Sequence, residues 1–158
     1  MKKQLRIRCR GIVKTSGSGE ALVSSDPISF YLIAPETGIV VEKGHCLEGV
    51  SIAGKVLIFP NGKGSSVVEI GGMHHLSKNG NLPQALIVEK IDTVLVTAAV
   101  LLRIPLVDGV KKKDRERLAS GDHLIVNSHE NVILWTPGPR GENRNTDTRR
   151  VIPIRENA

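Results

Sequence analysis

A chain of 158 residues, 40% of them hydrophobic, has enough apolar surface for one core of ordinary size and too much for wholesale disorder. Its formal charge of +6 suits anionic partners, yet Phe30, Tyr31, Phe59 and Trp135 are its complete set of aromatic rings, too few and too scattered for base stacking on nucleic acid. No apolar run approaches the roughly 18–20 residues that span a bilayer, and no apolar segment follows the basic start in the manner of an export signal.

Two cysteines, Cys9 and Cys46, cannot complete a zinc or iron–sulfur ligand set. The expectation is a cytoplasmic protein that binds no metal of its own, no membrane and no nucleic acid.

Leu5, Ile7 and Cys9 alternate with Arg6, Arg8 and Arg10, the period of a half-buried strand. Gly17, Ser18 and Gly19 read as a turn, after which Ala21, Leu22 and Val23 resume a strand. Asp26-Pro27 and the Ala-Pro-Glu-Thr-Gly of residues 34–38 punctuate a looping segment around Phe30 and Tyr31. Ile39, Val40 and Val41 predict a further short strand. His45 and Cys46 are neighbours, so on a strand one faces in and one out; the expectation is a buried thiol and an exposed imidazole.

Val56–Phe59 is a continuous apolar run stopped by Pro60-Asn61-Gly62, which predicts a strand buried on both faces. Ser65 and Ser66 then precede an approximate helical stripe of Val67, Val68, Ile70, Met73 and Leu76, weakened by Gly71-Gly72. His74 and His75, about 100° apart on such a helix, read as surface histidines rather than a metal pair. Ala85–Val88 predicts a second buried strand. Asp92 is a plausible N-cap for a helix over residues 93–103, ended by Pro105.

Leu106-Val107 predicts a brief strand, with Asp108 just beyond it as a candidate for a cleft. The lysines at 111–113 read as a solvated run at the rim of a subunit interface. Residues 124–126 and 132–135 flank a turn containing His129 and predict a hairpin. This pattern indicates a β-rich α/β domain over residues 1–136, in which a closed or partly closed sheet carries helices on one side. Residues 137–158 form a Pro/Gly/Arg-rich tail whose apolar segment is Val151, Ile152, Pro153 and Ile154.

The segment with chemistry in it runs from Gly54 to Ser66. A buried strand delivers the chain to a glycine-rich turn, and the turn opens a helix. Backbone N–H groups left free at a helix start bind anions, glycines allow close approach, and Lys63 adds a full positive charge. Gly62, Lys63, Gly64, Ser65 and Ser66 are therefore the candidate site. It is not a nucleotide-binding P-loop, because Leu57 stands where that motif needs its first glycine and Gly64 follows Lys63. On spacing alone, a tight turn with a serine cap and no ligand remains an open alternative.

Ser51-Ile52-Ala53-Gly54-Lys55-Val56-Leu57-Ile58-Phe59-Pro60 and then Gly62-Lys63-Gly64-Ser65-Ser66 resemble the small subunit of aconitase X. Pro35-Glu36-Thr37-Gly38 and Ile104-Pro105-Leu106-Val107-Asp108-Gly109 resemble further stretches of that family in the same order, so the likeness covers residues 10–135. The resemblance implies an aconitase-like swivelling domain, a flattened and partly open β-barrel with helices packed on one side. It implies a larger partner subunit that carries an iron–sulfur cluster, over whose site the domain closes. It implies that Ser65 acts as an alkoxide general base in a dehydration and that Ser66 touches the substrate.

Electrostatics accords with that role, since helix-start N–H groups and Lys63 would stabilise an alkoxide that water alone does not. Members of the family dehydrate a phosphorylated mevalonate or cis-3-hydroxy-L-proline; the intact Gly-Lys-Gly-Ser-Ser and the basic balance lean towards the phosphorylated substrate. A stand-alone anion-binding module is the alternative from another class. The chain departs from the family pattern at Asn61, where arginine is common, at Val68-Glu69-Ile70, where a Gly-Ser-Tyr step is common, and at Tyr31–Ala34, in place of Gly-Gly-Val-Asp.

Overall fold

Every side chain of β4 (Val56–Phe59) and of β5 (Ala85–Val88) is buried, which requires cover on both faces of the sheet. The computed structural model, which describes residues 2–139, supplies that cover from two cores. Val56, Ile58, Ala85 and Ile87 point into one cluster with Leu124, Val126, Ile133 and Trp135. Leu57, Phe59, Leu86 and Val88 point the opposite way, onto helices α1 (Ser66–Lys78) and α2 (Thr93–Leu102).

The remaining strands are β1 (Leu5–Arg8), β2 (Arg10–Val13), β3 (Ser16–Val23), β6 (Leu106–Asp108), β7 (His123–Asn127) and β8 (Val132–Thr136), with a short helix α3 (Lys112–Arg115). Eight strands make one mixed sheet in the order β1-β8-β7-β3-β4-β5-β6-β2. Strands β3 to β6 run parallel, joined through α1 and α2, while β1, β2, β7 and β8 pair antiparallel. The two edge strands are consecutive in the chain and separated by Cys9 alone, so the sheet comes round on itself through one bent strand without β1 pairing β2. This is the expected partly open barrel with helices on one side.

Three expectations need correction. Residues 17–19 are not a turn: they lie inside β3, paired with β7. Glycine is needed there because a Cβ on Gly17 would stand 2.2 Å from the carbonyl oxygen of Gln84, and one on Gly19 2.7 Å from that of Gly54. Residues 39–41 form no strand; Ile39 and Val40 make only isolated bridges, to Ser51, Ile33 and Glu48. The buried face of α1 begins at Glu69 and continues through Gly72, Met73 and Leu76, whereas Val67 is 82% exposed. Gly72, counted against the helix from sequence, is where the turn at Phe30 packs closest: a Cβ there would lie 2.6 Å from the Phe30 carbonyl carbon.

Other elements stand as expected. Asp92 caps α2, its Oδ1 accepting from the Leu95 N–H at 2.8 Å, and the helix stops one residue early because Arg103 adopts the left-handed conformation. The hairpin turns at residues 128–131 with His129 exposed. No helix of the described residues is long and apolar enough to cross a membrane. The arginine-rich segment beyond Pro139 and Val151–Ile154 lie outside the described residues.

Candidate functional site

The chain leaves β4 at Phe59 and turns through Asn61, Gly62, Lys63 and Gly64 before α1 begins. Residue Ile28, on the long excursion between β3 and β4, clamps this turn. Its N–H donates to the Asn61 carbonyl at 3.1 Å, and its carbonyl accepts from the Lys63 N–H at 3.0 Å. Gly64 has φ of +109°, a conformation that side-chain-bearing residues rarely adopt.

Ser65 is the N-cap of α1, with extended backbone (φ −81°, ψ 159°), and Ser66 is the first helical residue. Both are exposed. An N-cap serine ordinarily accepts from a backbone N–H one turn on, but the Ser65 hydroxyl makes no such bond. The first intrahelical bond is Glu69 N–H to Ser65 carbonyl, at 2.9 Å, so the N–H groups of Ser66, Val67 and Val68 have no helical acceptor. The five residues singled out from sequence therefore share one loop, with an unengaged hydroxyl among free donors at a positive helix end.

Beside this loop lies a cavity of about 260 Å³, lined by the apolar Phe30, Met73 and Leu95 and by the charged Lys63, Glu69 and Asp92. In the sequence, Glu69 stands out only as part of a departure from the family pattern. It is 5% exposed and sits beneath Gly64, where a Cβ would come 2.7 Å from Oε1. Its carboxylate accepts from the Ser29 hydroxyl at 2.6 Å and the Phe30 N–H at 2.8 Å. Burial pushes the Glu69 carboxyl above the ordinary glutamate range, with the nearby Asp92 charge acting the same way; hydrogen bonds from Ser29, Phe30 and Tyr31 offset this in part. No sequence signal marked this residue, because a charged position in a helix pattern reads as solvent-facing.

Lys63 is not a free cation. Its ammonium is paired with Glu42, the two side chains being 39% and 22% exposed.

The pair His45–Cys46 reverses its expectation: the imidazole is buried and the thiol exposed. The segment is a turn rather than a strand, so alternation does not apply. His45 Nδ1 accepts from the Leu47 N–H at 3.0 Å, which leaves Nε2–H to donate to the Pro27 carbonyl at 2.9 Å. The ring thus ties the excursion together. Cys46 donates its N–H to Asp26 Oδ2 at 2.8 Å, and its sulfur lies 3.3 Å from the Ser24 hydroxyl. Burial raises the Cys46 thiol, but hydrogen bonds from Ser24, Ser25 and neighbouring N–H groups outweigh it and hold the group below the ordinary cysteine range. The ligand atoms of Asp26, His45 and Cys46 lie within 4.8 Å of one another. Both imidazole nitrogens already have backbone partners, so a metal there would have to break one of them.

Asp108 does not face the cleft proposed for it. It ends β6 and receives a two-pronged bond from Arg10 of β2, at 2.7 and 2.5 Å, closing the sheet edge. His74 and His75 are both exposed on α1, as expected.

Residues 6–135 match a family model described as the aconitase X swivel domain. The phosphomevalonate dehydratase small subunit of Methanosarcina acetivorans is 44% identical over 130 residues, covering 82% of this chain and 90% of that one. Its counterpart from Thermococcus onnurineus is 40% identical, covering 82% and 97%. Among solved structures, aconitase X of Thermococcus kodakaraensis in its holo form superposes with a TM-score of 0.76 at 37% identity, over 84% of this chain and 99% of that one.

Proposed function

The chain belongs to the aconitase X swivel-domain family, and from that premise we propose that it is the small subunit of a phosphomevalonate dehydratase, a hydro-lyase that turns over only with its larger subunit. Supporting the substrate is the name shared by relatives that this chain matches over nine-tenths or more of their length.

The observation that carries the catalytic assignment is the Ser65 hydroxyl, placed at a glycine-rich helix start and spared from capping. In this reading Ser65 Oγ, as the alkoxide, takes the proton from one substrate carbon. The C–H electrons form the double bond as the hydroxyl leaves the neighbouring carbon as hydroxide; the proton held on Ser65 Oγ is then given up to that hydroxide, which completes the water and restores the alkoxide. Gly62, Lys63, Gly64 and Ser66 hold an anionic group of the substrate through backbone N–H groups, hydroxyl and ammonium.

The iron–sulfur cluster that the family implies does not fit this chain's residues. Cys9 joins β1 to β2 with its thiol pushed up to about 11 by burial, and Cys46 is the one other cysteine, held by Ser24 and Asp26. In this reading the cluster would be held by the larger subunit, where it would supply Lewis-acid chemistry.

The test is to purify the chain with the larger subunit of the same organism and assay 5-phosphomevalonate and cis-3-hydroxy-L-proline side by side. Dehydration of the first alone is expected. Turnover of the second alone would replace the substrate assignment, and phosphate binding without turnover of either would favour the anion-binding module.

A further inference from the structure

The loop that the sequence presents as an anion trap is crowded with carboxylates. Glu42 is already paired with Lys63, and among the described residues Lys63 is the one cationic side chain lining the adjoining cavity. Glu69 and Asp92 line the same cavity, and Asp92 Oδ2 comes within 3.4 Å of where a Cβ on Gly62 would stand. Asp26 is near enough for Lys63 to contribute to its stabilisation as an anion, behind the larger effect of the Cys46 N–H. The ammonium of Lys63 thus faces Glu42 and Asp26 of the excursion, and the cavity it lines also carries the carboxylates of Glu69 and Asp92. An incoming phosphate meets repulsion from these groups unless Lys63 is released to it.

Glu42 is the acid placed to release it. Asp92 is committed to capping α2, and Glu69 to Ser29 and Phe30. Among the described residues, Lys63 is the sole polar partner of the Glu42 side chain.

We propose that Glu42 is a specificity-determining counter-ion: it holds Lys63 when the site is empty and yields it to the anionic group of the substrate. The exchange discriminates by charge. A phosphate dianion offers Lys63 at least as much as Glu42 does, whereas a zwitterionic imino acid offers less and leaves the pair closed. The identity of the natural anion rests on the dehydratase reading above; the exchange itself does not.

The test has two arms. In the first, the chain is titrated with inorganic phosphate while the backbone amides of Gly64, Ser65 and Ser66 are followed by NMR. Glu42→Gln is expected to bind phosphate about three- to tenfold more tightly than wild type, the range for removing a half-exposed competing ion pair. Glu116→Gln, which breaks the surface pair with Lys112, serves as control and should change nothing. Glu42→Asp, which keeps the charge but withdraws it by one methylene, should fall between wild type and Glu42→Gln.

In the second arm, the assembled enzyme carrying Glu42→Gln should show a lower KM for 5-phosphomevalonate by a similar factor, with kcat within about twofold. Equal phosphate affinity in Glu42→Gln and wild type, or a raised KM, overturns the proposal. A wild-type complex inert towards 5-phosphomevalonate removes the substrate assignment, while the phosphate titration still decides the role of Glu42.

Discussion

Glu69 offers the sharpest test of how the site is held. Its carboxylate joins α1 to the segment at Ser29 and Phe30, two elements 40 residues apart, beneath a glycine that leaves no room for anything else. Truncation by Glu69→Ala removes the charge-assisted hydrogen bonds from Ser29 and Phe30, strands the buried Phe30 N–H and opens a void. At about 1.5–3 kcal/mol for each such bond, less the desolvation that the buried carboxylate no longer suffers, the net loss is about 2–4 kcal/mol.

Glu69→Gln behaves differently. Its carbonyl can accept from Phe30, and its amide can donate to the Ser29 hydroxyl once that rotates, so the cost should stay near 1 kcal/mol or below. For a domain of this size, the alanine variant should then melt roughly 6–12 °C lower and the glutamine variant only a few degrees lower.

The pH dependence carries a sign. Because burial raises the Glu69 carboxyl in the folded state, the folded protein binds the proton more readily than the unfolded chain. Wild-type stability relative to Glu69→Gln should therefore rise as pH falls through the window between the raised folded value and about 4.3, and be lost as pH rises back through it. Denaturant melts of the three proteins across that window measure both quantities. An alanine variant as stable as wild type, or a pH difference of opposite sign, would refute the reasoning.

Ser65→Ala should abolish turnover in the assembled enzyme while leaving the melting temperature nearly unchanged, since the hydroxyl caps nothing; activity within about tenfold of wild type removes Ser65 from the mechanism. Lys63→Met should lower kcat/KM by about ten- to a hundredfold through loss of a charge-assisted contact, whereas Lys55→Met, which breaks only the pair with Glu20, should be nearly silent; equal effects would leave the turn with no role in binding. Iodoacetamide at neutral pH should label Cys46 well before Cys9, because Cys46 is exposed and held below the ordinary range while burial pushes Cys9 up to about 11; mass spectrometry showing the reverse order contradicts the placement of both thiols.

Elements whose reasons are local were legible in the chain. The four-residue runs at Val56–Phe59 and Ala85–Val88 are continuous because both faces are covered, and Asp92 announces the helix it caps. The loop at Gly62–Ser66 was legible for the same reason: its glycines, lysine and serines are contiguous. What escaped depends on residues distant in sequence. Gly17 and Gly19 look like turn residues because a turn and a close backbone approach select the same amino acid, and only Gln84 and Gly54 distinguish them. His45 and Cys46 were assigned opposite exposures by a strand rule, on a segment that is no strand. Glu69 is buried by Ser29 and Phe30, and Lys63 is neutralised by Glu42; neither partner follows from helical periodicity or loop composition.

The bent strand through Cys9 has a consequence for how this subunit meets other chains. An open sheet normally offers two full edges, each a template on which a foreign strand can polymerise. Here both edges come from one stretch of chain, each is only four residues long, and Arg6 and Arg8 are exposed along the first. Short and charged, they give an added strand little purchase. Growth by strand addition, whether into aggregates or with a partner, is thereby discouraged, and recognition is left to the loops and helix ends where Ser65 stands.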